Sequence, residues 1–113
     1  MIVEIHGLEI FGRHGAGDEE RARGQSFLFN VTFEIAEPVR DELDATLDYR
    51  AVRDVVREVS SSHAYTLLES LAAAAADAIV TRCDVDSVTV SVRKPGVAWA
   101  DWVAVSSSRE RSS

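Results

Sequence analysis

Lysine is almost missing from this chain: Lys94 is the only one, against eleven arginines. Arginine keeps its proton at any accessible pH, whereas a lysine ammonium can lose one when desolvated or set beside another charge, so acid–base work selects lysine. A lone lysine is either a chance survivor of a composition that favours arginine or a residue held for its chemistry. Lys94 ends the alternating run Val88, Val90, Val92 in the segment Arg93-Lys94-Pro95, which makes it a candidate. Cysteine is as scarce. Cys83 alone excludes an intrachain disulfide and a cysteine-based zinc cage, and fits a reduced cytoplasm. His6, His14 and His63 show no His-x-His or His-x-x-x-His spacing, which argues against a metal site. No apolar run reaches the roughly 18 residues that span a bilayer, and the chain opens directly on a strand-like Met1-Ile2-Val3-Glu4-Ile5, so a soluble, cytoplasmic protein is expected. Clustered positive charge is also lacking. Nineteen acids against twelve bases give a net charge of −7, with arginines interleaved among carboxylates, and this argues against nucleic acid as a partner.

What is present suits one small domain. At 113 residues and 46% hydrophobic, the chain can build one core, expected over residues 1–107, with 108–113 as a flexible tail. An interior this small leaves little room for a substrate, so a pocket completed by a neighbouring subunit is expected. Residues 2–11 are β-rich, and Phe27, Phe29, Val31, Phe33 and Ile35 alternate with mostly polar residues as in a half-buried strand. The thirteen residues Gly12–Gly24 between them, rich in glycine and charge, are long for a connection and suggest a working loop. Val52, Val55, Val56 and Val59 mark an amphipathic helix, and Leu68, Leu71, Ala72, Ala75 and Ile79 a second over about 66–82. Two more β segments follow, near 86–94 and 102–107. The order β-β-α-α-β-β predicts an α+β layer, a four-stranded antiparallel sheet with two helices on one face.

Three further positions could carry chemistry. Thr66-Leu67-Leu68-Glu69 reads as a capping box; equally, a carboxylate in a helix's first turn is held ionised by the helix dipole and can bind the paired N–H groups of a heterocycle. Tyr49 follows Asp48 and Thr46, either of which could cap the valine helix. A phenol near a lysine can shuttle a proton, but Tyr65 competes for that role and periodicity does not rank the two. His14, in Gly12-Arg13-His14-Gly15, reads as a loop-shaping or hydrogen-bonding residue. Gly12, Gly15 and Gly17 form no phosphate-binding fingerprint, since no lysine follows and the loop joins two strands.

Ile10-Phe11-Gly12-Arg13-His14-Gly15 with Glu20 and Gly24-Gln25, then Thr46-Leu47-Asp48-Tyr49, Leu67-Leu68-Glu69 and Arg93-Lys94-Pro95, together resemble bacterial-type dihydroneopterin aldolase over roughly residues 2–105. No single motif is specific; their joint order and spacing carry the resemblance. It implies the tunnelling fold (T-fold), subunits in tetrameric rings that stack as octamers, and pockets between neighbours. It also implies that Glu69, with the Leu68 backbone, anchors the pterin's amino-pyrimidine edge, that Tyr49 lies against the substrate, that Glu20 contacts it from the loop, and that Lys94 is the acid–base centre aided by Tyr49. The implied reaction is retro-aldol cleavage of 7,8-dihydroneopterin in folate biosynthesis, with no cofactor, metal or Schiff base. Epimerisation of the same side chain, on the free or triphosphorylated pterin, would use the same groups, and a non-catalytic ring-forming module would keep only the fold. One departure stands out: family members commonly carry a longer, proline-containing turn after the Lys-Pro pair, whereas here Gly96–Trp102 alone leads to the last strand. Trp99 and Trp102 in that turn could stack on the ring or pack at a subunit contact.

Overall fold

The alternating run around Phe29 has one oily face and one polar face, and a strand of that kind is stable only with partners on both edges and a cover on the oily side. The computed structural model, which describes residues 1–112, supplies both. In chain order the elements are β1 (Ile2–Gly12), α1 (Asp18–Arg23), β2 (Gln25–Glu34), a single 3-10 turn (Leu43–Ala45), α2 (Tyr49–Ser62), α3 (Leu68–Arg82), β3 (Ser87–Pro95) and β4 (Trp102–Glu110). The sheet is antiparallel throughout in the order β1-β2-β3-β4, and α2 and α3 lie side by side on one face. The α+β layer read from the sequence is therefore present.

Phe27, Phe29, Val31 and Phe33 of β2 and Val88, Val90 and Val92 of β3 are buried under Val52, Val55, Val56 and Val59 of α2 and Leu71, Ala72, Ala75, Ala76 and Ile79 of α3. Each large side chain so buried contributes about 1.5–3 kcal/mol, enough to hold α2 helical despite its β-branched valines. Alanine on α3 brings that helix close over β3 and β4. In β1 the inward residues Val3, Ile5, Leu8 and Ile10 skip one step between Ile5 and Leu8. A β-bulge there takes up the extra residue, with Ile5 opposite Val31 and Leu8 opposite Phe29. Gly7 adopts φ +69° at the bulge, and its N–H donates to Asn30 Oδ1 at 2.8 Å, so both flanking side chains still reach the core.

Three sequence expectations are corrected. The glycine- and charge-rich loop contains the helix α1, so the order is β-α-β-α-α-β-β; three acids in its first turn and two arginines in its last suit the helix dipole. Helix α3 begins at Leu68 with Leu67 as N-cap and no side-chain cap, so Thr66 and Glu69 form no capping box. Strand β4 runs on through Ser108, Arg109 and Glu110, paired with Thr89, Val88 and Ser87, where a flexible tail from 108 was expected. The Arg109 guanidinium reaches Asp77 at 2.6 Å and ties that end of the strand to α3. Ser113, the end of the expected tail, lies outside the described residues. Among the described residues no helix is long and apolar enough to cross a membrane.

Candidate active site

Alternation along β3 sends Lys94 to the helix-covered side with Val90 and Val92, and Arg93 to the open side, where its guanidinium lies 4.0 Å above the Trp102 ring. Lys94 sits where the core ends, paired in register with Val103. Its ammonium forms an ion pair with the Glu20 carboxylate, and each side chain is only 23% exposed. That bond, opposed by burial, holds the Glu20 carboxyl below its ordinary range.

Glu20 reaches Lys94 because α1 turns it inward. Arg21 clamps the turn before the helix, donating to the carbonyls of Gly15 at 2.7 Å and Ala16 at 3.0 Å and pairing with Asp18. Gly15 holds φ +154°, a conformation that L side chains rarely adopt, and a Cβ there would displace the Glu20 side chain. Gln25, whose role the sequence did not suggest, brings its side-chain Nε2 to 3.4 Å from Glu20 Oε2. Its place as the first residue of β2, opposite Gly12, is visible only once the strand register is known.

Behind this pair lies His14, fully buried. The Tyr65 backbone N–H donates to His14 Nδ1 at 3.0 Å, which makes Nδ1 the acceptor and leaves Nε2 protonated, 2.9 Å from Ser60 Oγ. Burial, with a smaller contribution from His63, pushes the imidazole below its ordinary pKa. Gly15 N–H donates back to the Tyr65 carbonyl at 2.9 Å. Residues 14 and 15 are thus clasped to the α2–α3 connector, three residues ahead of Leu68. Leu68 packs partly against the core, while Glu69 is exposed in the first turn of α3 and has no ion pair among the described residues.

The two phenols differ in setting. Tyr65 is partly buried, its ring 5.5 Å from that of His14 and 4.8 Å from that of His63. Tyr49, the first residue of α2, is 62% exposed and lines a cleft of about 320 Å³ with Val3, Ile5, Leu8 and Arg53 against β1. Asp48 caps α2, accepting from the Arg50 N–H at 3.0 Å, as the sequence allowed. None of Lys94, Glu20, Leu68 and Glu69 lines the Tyr49 cleft. One chain therefore joins Lys94 to Glu20 directly, sets the start of α3 close to their loop, and holds Tyr49 in a separate hollow. Trp99 is 80% exposed at the β3–β4 turn, away from any packing role within the chain.

A four-stranded antiparallel sheet backed by two helices, with an amine–carboxylate pair where the inner strand leaves the core, defines a tunnelling-fold protein. The family model for dihydroneopterin aldolase (FolB) matches residues 3–108, and the chain belongs to that family. A dihydroneopterin aldolase of Methylorubrum extorquens is 29% identical over 97% of this chain and 90% of its own length. The crystal structure of Escherichia coli dihydroneopterin aldolase in complex with neopterin superposes with a TM-score of 0.86 at 26% identity, covering 96% of this chain and 98% of that one. The Burkholderia enzyme bound to guanine gives a TM-score of 0.83 at 25% identity, covering 99% of this chain and 92% of that one.

Proposed function

We propose that this protein is a lyase that cleaves 7,8-dihydroneopterin by a retro-aldol reaction to 6-hydroxymethyl-7,8-dihydropterin and glycolaldehyde, in folate biosynthesis. The observation that carries the proposal is the ion pair of the chain's one lysine with Glu20, in a chain of this family. Neopterin in the Escherichia coli relative and guanine in the Burkholderia relative share a 2-amino-4-oxo-pyrimidine edge, and a free first-turn carboxylate such as Glu69 is suited to grip it bidentately. The Leu68 backbone completes that grip.

Cleavage removes the proton of the side-chain 2′-hydroxyl, breaks the C1′–C2′ bond and leaves the electron pair on the dihydropterin ring. The ring C=N is the electron sink, so the protein needs only to orient the ring and move protons, without a lysine Schiff base or a metal. Lys94, through an ordered water, relays protons between the hydroxyl and the ring nitrogen. Glu20 pairs with the amine until substrate enters and then contacts the substrate side chain. Tyr49 helps protonate the enol. Because Tyr49 opens into a hollow apart from the Lys94–Glu20 pair, the working pocket joins the Tyr49 hollow of one chain to the Lys94 end of the next, in a cytoplasmic tetrameric ring or a stacked octamer.

The test is to incubate the protein with dihydroneopterin in EDTA and follow glycolaldehyde. Activity is expected in EDTA, near-total loss in Lys94→Ala, and no covalent product after borohydride. Borohydride trapping of product on Lys94 would overturn the mechanism while leaving the substrate right, and conversion to an epimer without glycolaldehyde would reassign the reaction.

A further inference from the structure

The proposed reaction leaves the buried imidazole of His14 without a task. His14 is fully enclosed, and both ring nitrogens are committed: Nδ1 accepts from the Tyr65 N–H and Nε2 faces Ser60 Oγ. A buried polar ring is retained at a cost in desolvation, so what its bonds join is informative. They join three elements. Ser60 belongs to the last turn of α2, Tyr65 to the connector that feeds α3, and His14 to the loop that leads into α1. Gly15, next in the chain, returns a bond to the Tyr65 carbonyl, and Glu20 packs on the Gly15 backbone so closely that no Cβ fits between them. A continuous contact path thus runs from His14 through Gly15 to Glu20 and on to Lys94.

We propose that His14 is a positioning residue: as the neutral Nε2–H tautomer it fixes the start of the α1 loop against the α2–α3 connector, and so holds Glu20 against Lys94. The inference rests on the catalytic reading of Lys94 and Glu20 for its kinetic consequence, but not for its structural one. A neutral ring is required because a doubly protonated imidazole cannot accept from the Tyr65 N–H. Burial acts in the same direction by holding the ring below its ordinary pKa. Phe27, whose ring centroid lies 5.2 Å from that of His14, closes the site from the sheet side.

Lys94 being the only lysine gives a readout that needs no substrate. Acylation by acetic anhydride, followed by peptide mass spectrometry, reports the Lys94 amine against the Met1 amine as internal reference. If His14 holds the pair together, Lys94 in His14→Ala acylates severalfold faster, as it does in Glu20→Gln. In His14→Asn the amide oxygen can accept from the Tyr65 N–H in place of Nδ1, and the rate returns toward that of the parent. In turnover, His14→Ala lowers kcat on the order of 10- to 100-fold, the scale of a misplacement of about 1 Å, and causes no further loss in a Glu20→Gln background. A parental Lys94 acylation rate in a folded His14→Ala protein would overturn the proposal, as would a kcat loss that adds fully to that of Glu20→Gln. Should His14→Ala not fold, an acylation rate for His14→Asn equal to that of Glu20→Gln overturns it instead. A protein without aldolase activity but with the expected acylation pattern would sink the functional reading and leave the positioning role standing.

Discussion

Two residues of the candidate site make its stability sensitive to acid, and their contributions begin to be lost at different pH. His14 is held below its ordinary value of 6.5 by burial and by His63, so as pH falls past 6.5 the unfolded chain takes up the proton first. Its contribution is complete above 6.5 and is lost progressively below it, with a slope of at most about 1.4 kcal/mol per pH unit for one proton. Glu20, lowered from 4.5 chiefly by its bond from Lys94, contributes fully above 4.5 and loses that contribution as pH falls further through its folded value. Urea midpoints measured against pH should therefore fall in two stages. His14→Asn is expected to flatten the upper stage and Lys94→Ala the lower one. An unchanged upper stage in His14→Asn would show that the buried imidazole is not the group titrating there. The sequence read His14 as a loop-shaping or hydrogen-bonding residue and offered Glu20 only through the family resemblance; it could not show that they lie along one path, because the link through Gly15 and Tyr65 spans residues far apart in the chain.

At the scale of elements, the start of α2 presents the phenol that the proposed pocket uses. Tyr49 is its first residue, and Asp48 holds that turn by accepting from the Arg50 N–H at 3.0 Å while pairing with the Arg50 guanidinium. Removing an N-cap carboxylate leaves a first-turn amide without its acceptor and frays that turn. Asp48→Ala should lower the thermal midpoint accordingly and raise KM for the pterin more than it lowers kcat, since Lys94 and Glu20 stay in place. A raised midpoint, or a kcat loss with KM unchanged, would contradict this. The start of α3 is built differently. Its Thr66 and Glu69 have the residue types of a capping box, but Leu67 takes the N-cap position and Glu69 is left free in the first turn. The connector's bonds to His14 and Gly15 fix where the chain enters α3, and tertiary contacts of that kind override a local capping preference.

The whole molecule is more extended than a single chain of its length usually is. Its radius of gyration is 14.8 Å where a chain of this length averages about 13 Å, and its extents are 49 × 24 × 21 Å. It exposes 6753 Å² where about 6,100 Å² is usual for its size. Both β1 and β4 are long strands with an unpaired outer edge, which offers another chain a row of backbone groups to pair with. The helix-free face carries the polar residues Glu4, Asn30, Thr32, Thr89 and Ser108, with the Thr89 and Ser108 hydroxyls 2.7 Å apart. Sedimentation is expected to give four or eight chains, and hydrogen exchange should find outward-facing amides of β1 and β4 protected. Activity per chain should fall on dilution below the assembly's dissociation constant. A stable, fully active monomer would end the shared-pocket reading.

The residue pattern by itself determined the core and its layers. Period-two alternation in β2 and β3 and the helical spacing of Val52, Val55, Val56 and Val59 each dictate which face must be buried, whatever the partners. It also singled out Lys94, because a lysine among arginines is a chemical contrast that needs no coordinates. Helix α1 escaped the reading because six residues carry too little periodicity to stand out among glycines, and it is held by Arg21 clamping the preceding turn and by the Glu20 contact with Lys94. The extent of β4 escaped it because Ser106-Ser107-Ser108 has no apolar alternation, and pairing with β3 supplies the order instead. Only the tertiary structure decided that Glu20 meets Lys94, that His14 clasps Tyr65, and that Tyr49 opens elsewhere, since each depends on strand register and helix placement, which act between segments that are distant along the chain.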